Sequence, residues 1–239
     1  MDQLWALLSL GFLLGLRHAL DADHVVAVST IVAQTRQLTK AALVGLLWGI
    51  GHTLTLSIMG CVVLFAKLQI PDPLAQGAEF MVGLMLILLG TSTLWGLHRR
   101  RIHLHPHSHG SKEHIHFHSH SGAREHAHEH PKLGWKPLIV GMIHGMAGSA
   151  ALMLLVLGTV RSELAGLLYI FVFGVGSMGS MLIVSLILGL PVVWTARSPM
   201  LQRVPQAITL VTGAVSIAFG VWLMIEIGFV EGWLRNLVP

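Results

Sequence analysis

Within an apolar run from Leu4 to Ala33, the segment Arg17-His18-Ala19-Leu20-Asp21-Ala22-Asp23-His24 places five ionisable side chains. A charged group near the middle of a bilayer costs a few kcal/mol even on lenient scales, so such residues persist where they line a water-filled or ion-binding cavity. Two imidazoles and two carboxylates offer N and O donors to a borderline divalent metal such as Ni, Co or Zn. On a continuous helix at ~100° per residue, His18, Asp21 and His24 form a stripe about 120° wide while Asp23 points elsewhere. A local tightening or a break would bring all of them round one ion. The competing reading is a buried His–Asp and Arg–Asp joint that only ties helices together, but each further ionisable group adds desolvation cost to such a joint. Arg17 is expected to balance the carboxylates rather than bind a cation. His52, in Gly51-His52-Thr53, and His144, in Ile143-His144-Gly145, are the other candidate ligands inside apolar runs. A lone helix histidine is often satisfied by a carbonyl, so both depend on where the fold puts them.

Twelve of the sixteen histidines lie between His98 and Pro131, in alternating runs such as His103-Leu104-His105-Pro106-His107. In a polar segment bearing Gly and Ser, this reads as a disordered metal-binding tract. Its many weak sites would buffer Ni, Cu, Co or Zn through a high local ligand concentration.

The elements that must hold these groups are membrane helices. Of 239 residues, 54% are hydrophobic and 11% charged, with a mean hydropathy of +0.72, far from a soluble domain. Six runs approach the ~20 residues needed to cross a hydrocarbon core: 4–33, 41–66, 78–97, 135–158, 164–194 and 206–229. The first is overlong and is expected as one tilted or broken span. Its first cation, Arg17, lies beyond the apolar stretch, unlike the basic start of a signal peptide, so this segment is expected to be retained. Trp5, Trp95, Trp135, Trp222 and Trp233 fall near span ends as interfacial anchors, and Glu226 reads as a solvated helix end.

The six runs divide into two similar threes. Gly15-Leu16-Arg17-His18 aligns with Gly141-Met142-Ile143-His144, and Trp48-Gly49-Ile50-Gly51-His52 with Phe173-Gly174-Val175-Gly176-Ser177; Gly83 and Gly90 match Gly213 and Gly220. An odd number of spans per repeat forces the halves into opposite orientations, the inverted plan of many secondary transporters. The expected fold is therefore an all-α integral membrane protein of about six helices: residues 1–97 as the first repeat, 98–134 as a cytoplasmic histidine-rich loop, and 135–239 as the second repeat. In it His18, Asp21, Asp23 and His24 meet His144 and Ser149, and His52 approaches from the second helix. Gly49, Gly51, Gly145, Gly148, Gly174, Gly176 and Gly179 are expected to let backbones pack closely.

Lys and Arg divide unequally between the two sides. Eleven, from Arg36 to Arg203, fall on one and only Lys67, Arg161 and Arg235 on the other, so the first is expected to be cytoplasmic with both termini outside. The pI near 9.7 then reflects topology and not nucleic-acid binding. Cys61, the one cysteine, excludes an internal disulfide or a paired-thiol relay.

The octet ending in His24 resembles the signature of the nickel/cobalt transporter family, NiCoT in the wider NicO group, in which a histidine is followed after four residues by Asp-His: here His18, Asp23 and His24. Gly51-His52-Thr53 is similar to that family's second histidine motif, and His144-Gly145-Met146-Ala147-Gly148-Ser149-Ala150 resembles the corresponding segment of urease-accessory nickel permeases. The resemblance implies a secondary transporter of Ni²⁺, extending to Co²⁺, in the cytoplasmic membrane, with His18, Asp21, Asp23, His24 and His52 in the selectivity site. It needs no bound cofactor, and its partners are the metal ion, the bilayer, urease or hydrogenase maturation proteins, and further copies of the chain. Family importers have eight spans where six are read here, and a long histidine loop also occurs in the family's exporters. The octet is closer to the importer form, so uptake is expected, with efflux as the alternative.

Two other classes compete. A membrane metallohydrolase would need a nucleophile or metal-bound water beside a general base. Ser149 and Ser177 offer hydroxyls, but no Gly-x-Ser-x-Gly or His-Glu-x-x-His pattern accompanies them. A metal sensor or metallochaperone anchor would place the work in the histidine loop. No phosphate-binding loop of the Gly-rich Lys-Ser/Thr type appears, so a carrier without its own ATPase is expected.

Overall fold

A computed structural model of the chain describes residues 2–67, 71–99, 103–109, 112–118, 134–146, 156–160, 162–198, 201 and 203–234. The helices are α1 (Asp2–His18), α2 (Ala22–Val32), α3 (Leu38–Ala66), α4 (Asp72–Arg99), α5 (Lys136–His144), α6 (Glu163–Arg197) and α7 (Val204–Ile225), the last ending in a π-helical turn, Glu226–Val230. Four of them, α3, α4, α6 and α7 with its π turn, are long and apolar enough to cross a membrane. Together α1 and α2 make a fifth such segment, bent by 54° at its break. The run at 135–158 is helical at α5 and again at 156–159, and the residues between lie outside those described. Large apolar side chains such as Leu13, Leu88, Phe171 and Trp194 face outward while histidines are buried within. That inversion of a soluble protein's pattern is what a lipid surround permits, and the chain is a multi-pass membrane protein.

Contacts fix the helix directions. Gly11 packs on Tyr169 and Gly15 on Phe173, so α1 runs parallel to α6. Gly141 packs on Trp48 and Gly145 on His52, so α5 runs parallel to α3. Gly83 meets Gly220 and Gly90 meets Gly213, so α4 and α7 are antiparallel. At Gly15 and Gly141 the partner is a backbone carbonyl so close that even one Cβ would collide with it, which is the close approach that small residues allow between membrane helices. Hydroxyls add interhelical bonds: Ser185 donates to the Ala41 carbonyl and Ser216 to that of Leu86. Of the seven glycines expected at interfaces, Gly179 faces open space, where an added Cβ would meet nothing within 4 Å, and Gly148 lies outside the described residues.

One end of the bundle gathers the basic residues. Gln34 donates to Thr93, Thr209 to the Ala33 carbonyl, and Lys136 to Ser92. These bonds tie the end of α2, the end of α4 and the starts of α5 and α7 together, beside Arg36, Lys40, Arg99, Arg197 and Arg203. Beyond α4, in the tract read as disordered, His103–His109 and Lys112–His118 form a two-stranded antiparallel ribbon (β1, β2), with His103 opposite His118 and His107 opposite His114. Alternation of histidine with other residues has period two, the period of a strand, and so suits pairing. The remainder of that tract lies outside the described residues.

Candidate metal site

The break in the first span builds the site. The last turn of α1 closes tightly, Leu20 N–H donating to the Arg17 carbonyl and Asp21 N–H to that of His18. Asp21 then turns extended (φ −59°, ψ 145°) and opens α2. Its carboxylate does not cap that helix but accepts from His18 Nδ1 at 3.1 Å. Leaving the helix rotates Asp23, which a continuous helix would have pointed away, into the bundle.

The four histidines outside the loop meet there, from four helices. Ring centroids are 4.6 Å apart for His18 and His24, 5.0 Å for His18 and His52, and 4.0 Å for His24 and His144. None is more than 5% exposed. Asp23 accepts from His24 Nδ1 at 3.0 Å and from His144 Nε2 at 2.9 Å. His18 Nε2 lies 2.9 Å from His52 Nε2.

Because a carboxylate only accepts, these bonds assign the protons on neutral rings. His18 carries its proton on Nδ1, so its Nε2 accepts and His52 Nε2 donates. His24 donates from Nδ1 and His144 from Nε2. The remaining nitrogens, His24 Nε2, His52 Nδ1 and His144 Nδ1, hold lone pairs, are buried, and have no partner among the described residues. Buried acceptors are rarely left so. Ligand atoms of His18, His24 and His52 lie within 4.8 Å of one another, as do those of Asp23, His24 and His144. An imidazole nitrogen sits about 2.0–2.1 Å from a bound metal, so two such ligands at right angles stand about 2.9 Å apart; the His18 and His52 Nε2 atoms have that spacing, and both would face an ion once the His52 proton moves to Nδ1. Each ring held by Asp21 or Asp23 has the carboxylate–histidine arrangement that orients metal ligands.

Two helix ends add to the field. His18 ends α1 and His144 ends α5, so both helices aim the negative ends of their dipoles at the cluster, as suits a cation. Trp48 packs on the His144 ring at 5.6 Å and Phe173 on the His18 ring at 5.7 Å, both buried. Sequence reading passed over these two aromatics, although the repeat alignment pairs them.

Of the expected site residues, His18, Asp23, His24, His52 and His144 come together, and Asp21 joins through His18 with its side chain 43% exposed. Arg17, on an exposed face of α1, forms no ion pair among the described residues; the carboxylates bond to histidines instead. Ser149 lies outside the described residues. A cavity of about 80 Å³ opens away from the cluster, at the basic end, beside Gln34, Arg36, Thr93 and Gln206. The histidines themselves are enclosed.

Comparisons with known proteins identify the family. Residues 4–151 match the NicO model, described as high-affinity nickel-transport protein. The chain is 38% identical, over 98% of its length and the whole of the other, to the urease accessory protein UreH of Bacillus sp. (strain TB-90). It is 25% identical over 90% of its length to the chloroplast protein FOR GROWTH AND FERTILITY 1 of Arabidopsis thaliana, and spans 58% of that longer protein. No solved structure gives a significant match. With more than half its residues matched by the family model and a close full-length relative, the chain belongs to the NicO family of high-affinity nickel-transport proteins.

Proposed function

We propose that the chain is a secondary transporter that takes up Ni²⁺, and with it Co²⁺, across the cytoplasmic membrane through the cluster of His18, Asp21, Asp23, His24, His52 and His144. The observation that carries this reading is the pair of three-ligand groups joined at His24 and buried where the first span breaks. His18, His24, His52 and His144 supply imidazole nitrogens, which suit Ni²⁺ and Co²⁺. Asp21 and Asp23 orient the rings, and their two negative charges match one divalent ion. Inward passage gains ~2.3 kcal/mol per elementary charge per 100 mV of membrane potential, so a divalent ion gains about twice that without ATP.

Six spans in two inverted threes complete the reading. Exchanging the halves by the alignment turns the contact of Gly15 with Phe173 into that of Gly141 with Trp48, and Gly51 with Leu138 into Gly176 with Phe12. Gly83 with Gly220 becomes Gly213 with Gly90, and Phe173 on His18 becomes Trp48 on His144. Since α5 runs with α3 and α6 with α1, α5 heads across the membrane in the direction opposite to α6. A pseudo-two-fold axis through an enclosed site supports alternating access by one half rocking on the other. The urease accessory relative supports urease maturation as a destination for the metal.

The test is uptake of radiolabelled Ni²⁺ into proteoliposomes of known orientation, with Co²⁺ and Zn²⁺ as competitors. Inward flux driven by an inside-negative potential is expected. Flux only in the opposite direction would assign efflux, and no flux with intact metal binding would assign a sensor or anchor.

A further inference from the structure

The second half answers the first residue by residue at the cluster: His144 for His18, Phe173 for Trp48, and Ser177 for His52. Ser177 is wholly buried, and its Oγ has no hydrogen-bond partner among the described residues. Elsewhere in the bundle, Thr30, Thr55 and Thr93 give their hydroxyls to the carbonyl four residues back. That is the ordinary refuge of a helix hydroxyl in an apolar setting, and Ser177 does not take it. Its place explains what it faces. Phe173, one turn earlier on the same side of α6, lays its ring on His18. Gly15, one turn before His18, packs on the Ser177 backbone. Ser177 therefore stands beside the last turn of α1, the turn that ends in His18.

We infer that Ser177 Oγ is a second ion-facing group of the second half, beside His144: a neutral oxygen donor to the transported metal or to one of its waters, standing where the first half presents the His52 imidazole. This rests on the transport reading and the inverted repeat given above. An alcohol oxygen binds a borderline divalent ion more weakly than imidazole does. A permeation path needs donors firm enough to take the ion and weak enough to let it go. With three imidazoles from the first repeat against one imidazole and a hydroxyl from the second, the site holds the ion more firmly from the first repeat than from the second. Ser177 is then a residue that tunes affinity and release.

The test is radiolabelled Ni²⁺ uptake with KM and kcat resolved, for Ser177→Ala, for Ser177→Cys in a Cys61→Ser parent, and for His24→Ala. Losing one polar contact to the ion should raise KM about five-fold in Ser177→Ala while kcat is not lowered. The Ser177→Cys protein should be inhibited by Cd²⁺ at concentrations that leave the parent active, and excess Ni²⁺ should protect it. Parental KM in Ser177→Ala, or a loss confined to kcat, overturns the inference, since a packing role would leave ion affinity alone. If Ser177→Cys does not fold, the two constants of Ser177→Ala decide. Undiminished uptake in His24→Ala instead overturns the transport site itself; abolished uptake there with parental Ser177→Ala overturns only the role of Ser177.

Discussion

Asp23 and His144, 121 positions apart in the chain, are joined by a 2.9 Å hydrogen bond that ties the broken first span to the end of α5. The same carboxylate holds His24 through its other oxygen. One aspartate thus sets two rings from two halves of the molecule.

His24 belongs to both three-ligand groups, so the cluster should bind one Ni²⁺ and not two. Equilibrium dialysis in detergent is expected to give a stoichiometry near one, with uptake abolished in His18→Ala, Asp23→Asn and His24→Ala while each remains folded. Two ions bound, or near-normal flux in any two of these variants, would refute the shared-ligand site.

Gly15→Ala and Gly141→Ala should be destabilising to a similar degree, because each added Cβ meets a carbonyl of the neighbouring helix at related positions. Overpacking of this kind costs about 1–3 kcal/mol. Thermal unfolding in detergent should register both, while Gly179→Ala, with open space around it, should leave the midpoint unchanged or slightly raised.

Arg17→Gln should transport Ni²⁺ at close to the parental rate. The side chain is exposed and unpaired among the described residues, so it supplies no charge to the buried cluster. A loss of uptake beyond ten-fold would return Arg17 to the site.

With Cys61 replaced by Ser, a cysteine introduced at Ser111 should resist an impermeant thiol reagent applied outside intact cells. The basis is the concentration of Lys and Arg at the end of the bundle from which the histidine loop leaves. Labelling from outside would invert the topology and with it the direction of uptake.

Deleting residues 103–130 should weaken uptake when metal is scarce and spare it when metal is ample, because the loop adds exchangeable ligands near the inner mouth and not the path itself. An imidazole must be neutral to bind metal, so this advantage should fade as pH falls below the unperturbed histidine value of ~6.5. Flux lost at every metal concentration would place the loop in the permeation path.

The membrane character, the position of the polar octet and the basic end of the bundle were legible in the chain because they are local sums: runs of apolar residues, a cluster of donors inside one run, and counts of Lys and Arg. What the sequence left open was direction in space. Helical periodicity kept Asp23 off the stripe of His18, Asp21 and His24, and only the break at Asp21 turned it inward. His52 and His144, each unremarkable in its own helix, became cluster members because α3 and α5 cross closely at Gly51, Gly141 and Gly145, so that each of the four rings lies within 5.0 Å of another. Trp48, Phe173 and Ser177 gained meaning in the same way, since which face of a uniformly apolar helix looks inward is decided by its neighbours, where lipid and protein interior are equally apolar to the side chain.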